Sequence, residues 1–260
     1  MQPSTAPAPA AHCAAEWHVL ADPEHFWMRW RLASALAQLR DLGMPLTAPW
    51  RVLDVGCGRG VLDAQLEAAT SWTIDGVDLD PEAIAAAAPG RGTHTVRDLL
   101  AEPPDAGADR YDAAILYDVL EHLEDPVALA AATRSSLKPG GLLLVNVPAL
   151  PRYTSGYDRA VGHLRRYDRP GLRAALESAG YRVQDMRFWG LALVPALALR
   201  KRMIARLENR PEAHEAIVAR GFAEPSRLVV EALDLAMAAE LAIFSYPPIG
   251  SSLLAVARNP

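Results

Sequence analysis

Two cysteines, Cys13 and Cys57, are the whole thiol complement of this chain. They cannot build a disulfide framework, and their separation fits no zinc-ligand pattern. The expectation is a reducing, cytoplasmic compartment. Long apolar runs are missing as well. The most hydrophobic stretch, GLALVPALAL from Gly190, reaches about half the length needed to cross a bilayer and contains Pro195. It reads as a packed helix or a pocket lid, and no membrane span is expected. An interfacial role is the alternative, because Arg200, Lys201 and Arg202 follow directly. An excess of positive charge is also absent: 26 Lys and Arg against 31 Asp and Glu leave a net charge of −5. Such a chain has no global attraction for nucleic acid. No nucleic-acid partner is expected, although a basic stretch at 159–173 keeps RNA as a minor alternative. Residues 1–15, rich in Ala and Pro, lack the basic start and apolar run of a signal peptide and read as a flexible tail.

What the chain does have is a globular composition, 51% hydrophobic and 22% charged, enough for a proper core. Residues 16–40 read as helix, within a helical cap over 16–48. From residue 50 to 150 the pattern alternates. Strand-like segments fall at 51–55, 72–80, 93–98, 111–118 and 141–148, with helical segments between them at 61–69, 81–88 and 125–137. Pro139-Gly140 is read as ending the last of these helices. Short strands alternating with helices argue for a parallel sheet covered on both faces. The continuous apolar runs AAIL and LLLV fit strands buried on both sides. A polar, aromatic insert follows at 149–170, then a helix (170–179), a strand (181–189) and a mostly helical insert (191–242). The last pattern, SSLLAVARN at 251–259, reads as a closing edge strand.

The sharpest local signal is VLDVGCGRG at 52–60. A strand runs into Gly56, Gly58 and Gly60, and a helix follows. Glycines there permit a tight turn and close approach of a ligand to the backbone. Cys57 reads as a small filler of that loop. Asp54 sits in an apolar strand end, where a carboxylate needs a partner. It can accept from the loop or hold a ligand ammonium. Asp78 ends the next strand, about twenty residues after the glycines, where an acid can accept both hydroxyls of a ribose. Asp80, before Pro81, reads as a helix cap. Asp98 ends the third strand and is placed to accept an adenine amine, with the Leu99 N–H beside it. Three acids at successive strand ends face one crevice, the position where open α/β sheets bind ligands.

The ordered set VLDVGCGRG, GVDLD, RDLL, YDAAILYDVLEHLEDP and LKPGGLLLVNVP resembles the class I S-adenosylmethionine-dependent methyltransferases. The resemblance covers about residues 50–148. The flanking segments EHFWMRWR and GHLRRYDRPGLRAALESAGY resemble a bacterial subgroup often encoded with glycan and secondary-metabolite pathways. It implies a Rossmann-like, doubly wound, seven-stranded sheet with only the last strand antiparallel, carried on residues 49–260. It implies S-adenosylmethionine as cofactor and S-adenosylhomocysteine as product. Asp54, Gly56, Cys57, Gly58 and Gly60 would hold the methionine part, Asp78 and Leu79 the ribose, Asp98 and Leu99 the adenine. The Leu116–Asp118 stretch would lie beside the methionyl group, with Tyr117 as a contact. A dinucleotide site is disfavoured, because one residue, Arg59, separates Gly58 from Gly60 where two are usual.

The acceptor is expected on the cap elements. The 149–170 insert is long for a structureless connection. It offers Tyr153, Tyr157, Arg165, Arg166 and Tyr167 as substrate contacts, since arginine forks suit carboxylates, phosphates and sugar acids. His163 and His122 are the candidate general bases. From the N-terminal helix, Trp27 is a candidate contact within the cluster Phe26, Trp27, Trp30. The expected reaction is methyl transfer to a small-molecule or glycan-type acceptor, at oxygen, with no metal. N-methylation of an amine and cofactor binding without methyl transfer are the alternatives. The helical segment 191–242 is left as a lid, a homodimer surface or both.

Overall fold

The computed structural model describes residues 22–102, 111–206 and 226–260. The expected tail at 1–15, the start of the first helix and the middle of the helical insert lie outside them. One sheet holds seven strands: β1 (Arg51–Val55), β2 (Thr73–Asp78), β3 (His94–Val96), β4 (Tyr111–Tyr117), β5 (Leu137–Pro148), β6 (Arg182–Trp189) and β7 (Ser252–Arg258). Their order is β3-β2-β1-β4-β5-β7-β6. The pairs among β1 to β5 are parallel, and β7 runs antiparallel to β5 and β6. The doubly wound sheet with one antiparallel last strand is therefore as expected.

Two details differ. The closing strand is not an edge: β7 is inserted between β5 and β6, and the edges are β3 and β6. All but the last residue of β7 are buried, so both of its sides need a ladder. Pro139-Gly140 does not end a helix either. The helix before it stops at Ser135, and the chain is already paired at Leu137 with Tyr111 before it resumes the ladder at Leu142.

Among the described residues the α-helices are α1 (Phe26–Asp41), α2 (Val61–Ala69), α3 (Pro81–Ala85), α4 (Pro126–Ser135), α5 (Gly156–Ala160), α6 (Arg169–Ser178), α7 (Val194–Ala205) and α8 (Arg227–Ile243). Three of them start with one device. Asp80, Asp125 and Asp168 cap α3, α4 and α6 by accepting backbone N–H groups, and a proline occupies one of the first two helical positions.

Alternation along the strands divides the core in two. Leu53, Leu116, Leu143 and Leu253 face α4 and α6, through residues such as Leu129, Leu172 and Leu176. Val52, Ile115, Leu144 and Leu254 face α1 and α2, through Trp30, Leu36, Leu39, Leu62 and Leu66. The N-terminal helix is thus part of one core face. Its inner edge also reaches the carboxyl ends of β1 and β4. There the strand order reverses, because the chain winds from β1 outward to β3 and then returns to β4. That reversal opens a crevice.

Candidate active site

A cavity of about 500 Å³ occupies the crevice, within the usual range for a small-ligand site. Asp54, Gly56, Cys57, Gly58, Asp78, Leu79, Asp98, Leu99 and Tyr117 all line it. Gly60 does not. It heads α2 with φ +66° and lies against the ring of His94. Asp98 stands two residues beyond the end of the short β3.

The glycine loop is shaped from both sides. Gly56 has φ +80°, and a Cβ there would stand 2.5 Å from Val119 Cγ2. Gly58 has φ +54° and nothing within 4 Å of where a Cβ would be, so its backbone is open to the cavity. Asp78 ties the loop to β2: its carboxylate accepts from Gly58 N at 2.8 Å and from Asp80 N at 2.9 Å. Leu79 and Leu100, both half exposed, add apolar wall beside Asp98. Burial, then the neighbouring Asp54, pushes the Cys57 thiol up, so it stays protonated and packs as a filler.

Four features of the site were not anticipated. Arg31 and Met28 of α1 line the cavity, whereas Trp27 packs on Trp189 at 5.6 Å and Trp30 is in the core. Arg31 Nη1 donates to Asp118 at 2.7 Å, and its buried Nε has no partner. Asp118 is itself held by Asn146 Nδ2 at 2.8 Å, and Asn146 accepts from Trp189 Nε1 at 2.8 Å. Asp118 also has φ +59°, a left-handed backbone that Asp tolerates better than most residues. Asp118 belongs to the Leu116–Asp118 stretch that the resemblance places beside the methionyl group; its pairing with Arg31 of α1 is the second feature not anticipated. The third feature is Arg159 of α5 on the wall. The fourth is Asp63 of α2, buried behind Asp54.

Of the two candidate bases, His122 lines the cavity and His163 stands behind it. His122 Nδ1 lies 3.1 Å from Gly162 O. A carbonyl only accepts, so Nδ1 carries the proton and Nε2 the lone pair. Burial, then His163, lowers the His122 pKa to about 4, which keeps the ring neutral at physiological pH. The rings of His122 and His163 meet edge to face at 4.8 Å. His163 Nδ1 is 3.4 Å from Asp158 Oδ1, and its Nε2 is 4.0 Å from Glu121 Oε1. Glu121 is fully buried with neither oxygen hydrogen-bonded, and burial raises its pKa well above the carboxylate range. The donor atoms of Glu121, His122 and His163 fall within 4.8 Å of one another, a grouping the sequence reading did not foresee.

The five polar residues of the insert expected at the substrate brace or pack against protein instead. Arg166 donates to Asp158 Oδ1 at 2.6 Å and to Ala149 O at 3.1 Å. Arg165 donates to the carbonyls of Leu123 and Glu124. Tyr167 is core, its hydroxyl on Leu120 O. Tyr157 is buried under Arg200, whose guanidinium carbon is 3.9 Å from the ring centroid. Tyr153 is half buried beneath Arg152. None of the five, nor Trp27, is on the cavity wall among the described residues. Lys201 donates to Arg152 O at 2.6 Å, so α7 fastens the insert from outside. Among the described residues no helix is long and apolar enough to cross a membrane.

The cavity therefore offers acids in a row, an arginine, an open glycine backbone and apolar walls. These suit a ligand with an ammonium, a carboxylate, a ribose and a flat base. Residues 10–185 match the family model described as a methyltransferase domain. The chain is similar to the ubiquinone biosynthesis O-methyltransferase of Cereibacter sphaeroides, 36% identical over 144 residues, which is 50% of this chain and 58% of that enzyme. That match thus spans less than two thirds of the relative. The enzyme of the same name from Xanthomonas campestris pv. campestris is 31% identical over 188 residues, 63% of this chain and 73% of its own. Among solved structures, phosphoethanolamine N-methyltransferase 2 of Haemonchus contortus, in complex with S-adenosyl-L-methionine, superposes with a TM-score of 0.58 at 19% identity. That match covers 96% of this chain and 58% of the other.

Proposed function

From the premise that this chain belongs to the S-adenosylmethionine-dependent methyltransferases, we propose that it methylates an oxygen of a small hydroxyl-bearing acceptor, with His122 as general base. The observation that carries the base assignment is His122 itself: a neutral ring on the cavity wall whose Nδ1–H is committed to Gly162 O. The relatives named O-methyltransferases support oxygen as the acceptor atom.

The sheet order supports one layout of the site. Along the crevice the strand ends run β3, β2, β1, β4. Asp98 and Leu99, with Leu79 and Leu100, take the adenine, and Asp78 takes the ribose hydroxyls. Asp54, the Gly58 backbone and Arg31 take the methionine end. The acceptor then enters on the β4 side, beside Tyr117, Asp118 and His122. When bound, the cofactor supplies an electrophilic methyl on a sulfonium. The protein's share is to align the acceptor oxygen and to remove its proton. His122 Nε2 accepts that proton, and Gly162 O holds the ring in the tautomer that can do so. Asp118, the carboxylate on the cavity wall beside His122, is paired with Arg31 at 2.7 Å, which disfavours selection of a cationic amine there.

The test uses methyl-labelled cofactor with panels of phenols, glycans, carboxylic acids and amines, and product detection by mass. Labelled methyl ethers are the expected products; methylamines alone would refute the oxygen assignment. His122→Gln should then lower kcat by about 10²–10⁴-fold, with the cofactor dissociation constant unchanged. A variant with wild-type kcat would remove His122 from the reaction.

A further inference from the structure

Behind the methionine end of the cavity, two acids meet without a donor. Asp54 on β1 is buried and lines the cavity. Asp63 on α2 is buried behind it, 2% exposed. Asp63 Oδ2 is bound to His94 Nε2 at 2.8 Å, while Oδ1 has no protein donor. The carboxyl within hydrogen-bonding reach of Asp63 is that of Asp54. Two carboxylate oxygens in contact repel unless one carries a proton, the usual solution for paired buried acids.

We propose that Asp54 and Asp63 share one proton in the cofactor-free protein, and that the ammonium of S-adenosylmethionine takes its place, so that the cofactor enters in exchange for one proton released to solvent. Asp54 is the contact residue in this scheme and Asp63 its positioning residue. The inference rests on the cofactor assignment and adds a proton to the binding equilibrium.

The surrounding charges fit the exchange. Facing the pair are Arg31 from α1, Cys57 from the glycine loop, Glu67 from α2, Asp78 from β2, His94 from β3 and Tyr117 from β4. Arg31 is the cation nearest in effect, and it is already paired with Asp118. Glu67 is occupied by the N–H groups of Ile74 and Arg91. Arg31 is thus shared, and the ring of His94 offsets Asp63 only when it is protonated, so two ionised acids are undercompensated while that ring is neutral. Burial is the largest influence on both, holding Asp54 well above the carboxylate range and Asp63 at about 6. An ammonium against Asp54 provides the missing charge and lets the proton leave.

The sign of the pH effect follows. The free protein binds one proton more than the complex, so low pH favours the free protein. Affinity should weaken as pH falls, by about tenfold per pH unit where the free pair holds its proton. The experiment is calorimetric titration of the full chain with S-adenosylmethionine at about pH 6, in phosphate and in Tris, whose ionisation heats differ widely. About one proton released per cofactor bound is expected for the wild type. Asp63→Asn, whose amide donates permanently to Asp54, should bind the cofactor and release none. Binding by the wild type without proton release overturns the proposal, and so does full release by Asp63→Asn. Should that variant fail to fold, the wild-type dependence of log Kd on pH decides alone, and a flat line refutes the exchange. No binding heat and no competition by S-adenosylhomocysteine would instead overturn the cofactor assignment itself, and this proposal with it.

Discussion

At the scale of single residues, the site is built by carboxylates that each hold protein and leave capacity for a ligand. Asp78 is the clearest. Its oxygens accept from Gly58 N and Asp80 N, which joins the glycine loop to the start of α3, and each oxygen keeps a lone pair for a ribose hydroxyl. Asp78→Ala should therefore weaken S-adenosylmethionine binding by about tenfold or more, in line with roughly 1.5–3 kcal/mol for a hydrogen bond to a charged group. It should also loosen the loop, so the loss should exceed that of Asp78→Asn, which keeps an acceptor oxygen. Equal affinities for wild type and Asp78→Ala in a calorimeter would exclude the ribose assignment. Asp118 carries a different load. Its left-handed backbone is held by Asn146 and Arg31 from two separate elements, so the strained position is fixed by tertiary contacts.

At the scale of elements, the strand-end acids and the glycine loop were legible because each depends on local order: a strand, then a turn, then a helix. The parallel sheet was legible for the same reason. The 149–170 insert was not, because the fate of a charged side chain there depends on which wall lies beside it. Arg165 and Arg166 are adjacent in a polar run, and nothing in that run distinguishes a pocket-facing fork from a buried brace. The structure makes both braces. Arg31 was hidden for the converse reason, as one of two arginines in the aromatic-rich WMRWR segment of α1, with nothing local to separate it from Arg29, which pairs with Asp234. The placement of β7 inside the sheet was equally non-local. These positions predict a separation of effects. Arg166→Ala leaves Asp158 buried without its closest cation, at a cost of about 3–5 kcal/mol. The urea midpoint should drop accordingly, and any residual folded enzyme should keep its KM for the acceptor. A raised KM at unchanged stability would return Arg166 to the acceptor site.

At the scale of the whole molecule, buried acid is concentrated on the functional side of the sheet, and that sets how stability varies with pH. Burial, the largest influence in each case, raises Asp54 and Glu121 well above the carboxylate range, Asp63 to about 6, and Asp118 above its ordinary value. An acid with a higher pKa folded than unfolded stabilises the fold fully below its unfolded value, near ~4, and that stability is lost as pH rises through the folded pKa. Three groups act in the opposite direction. Burial opposes ionisation of Asp158 and Asp75, but hydrogen bonds and cations outweigh it and hold both below the usual range, so their stabilisation fades as pH falls through those lowered values. His122, lowered to about 4, withdraws stability as pH drops below the ordinary histidine value of about 6.5. The acids begin to withdraw stability near ~4, where Asp158 and Asp75 already contribute fully, and only His122 opposes them up to about 6.5, so stability of the cofactor-free protein should peak at about pH 4 and decline toward pH 8. Saturating S-adenosylmethionine should flatten that decline, because an ammonium beside Asp54 favours the ionised pair that high pH imposes. Urea unfolding from pH 5 to 8, with and without cofactor, measures both slopes. A cofactor-free midpoint that climbs steadily to pH 8 would mean the buried acids are compensated within the protein, whereas parallel curves would mean that the cofactor's charge does not reach them.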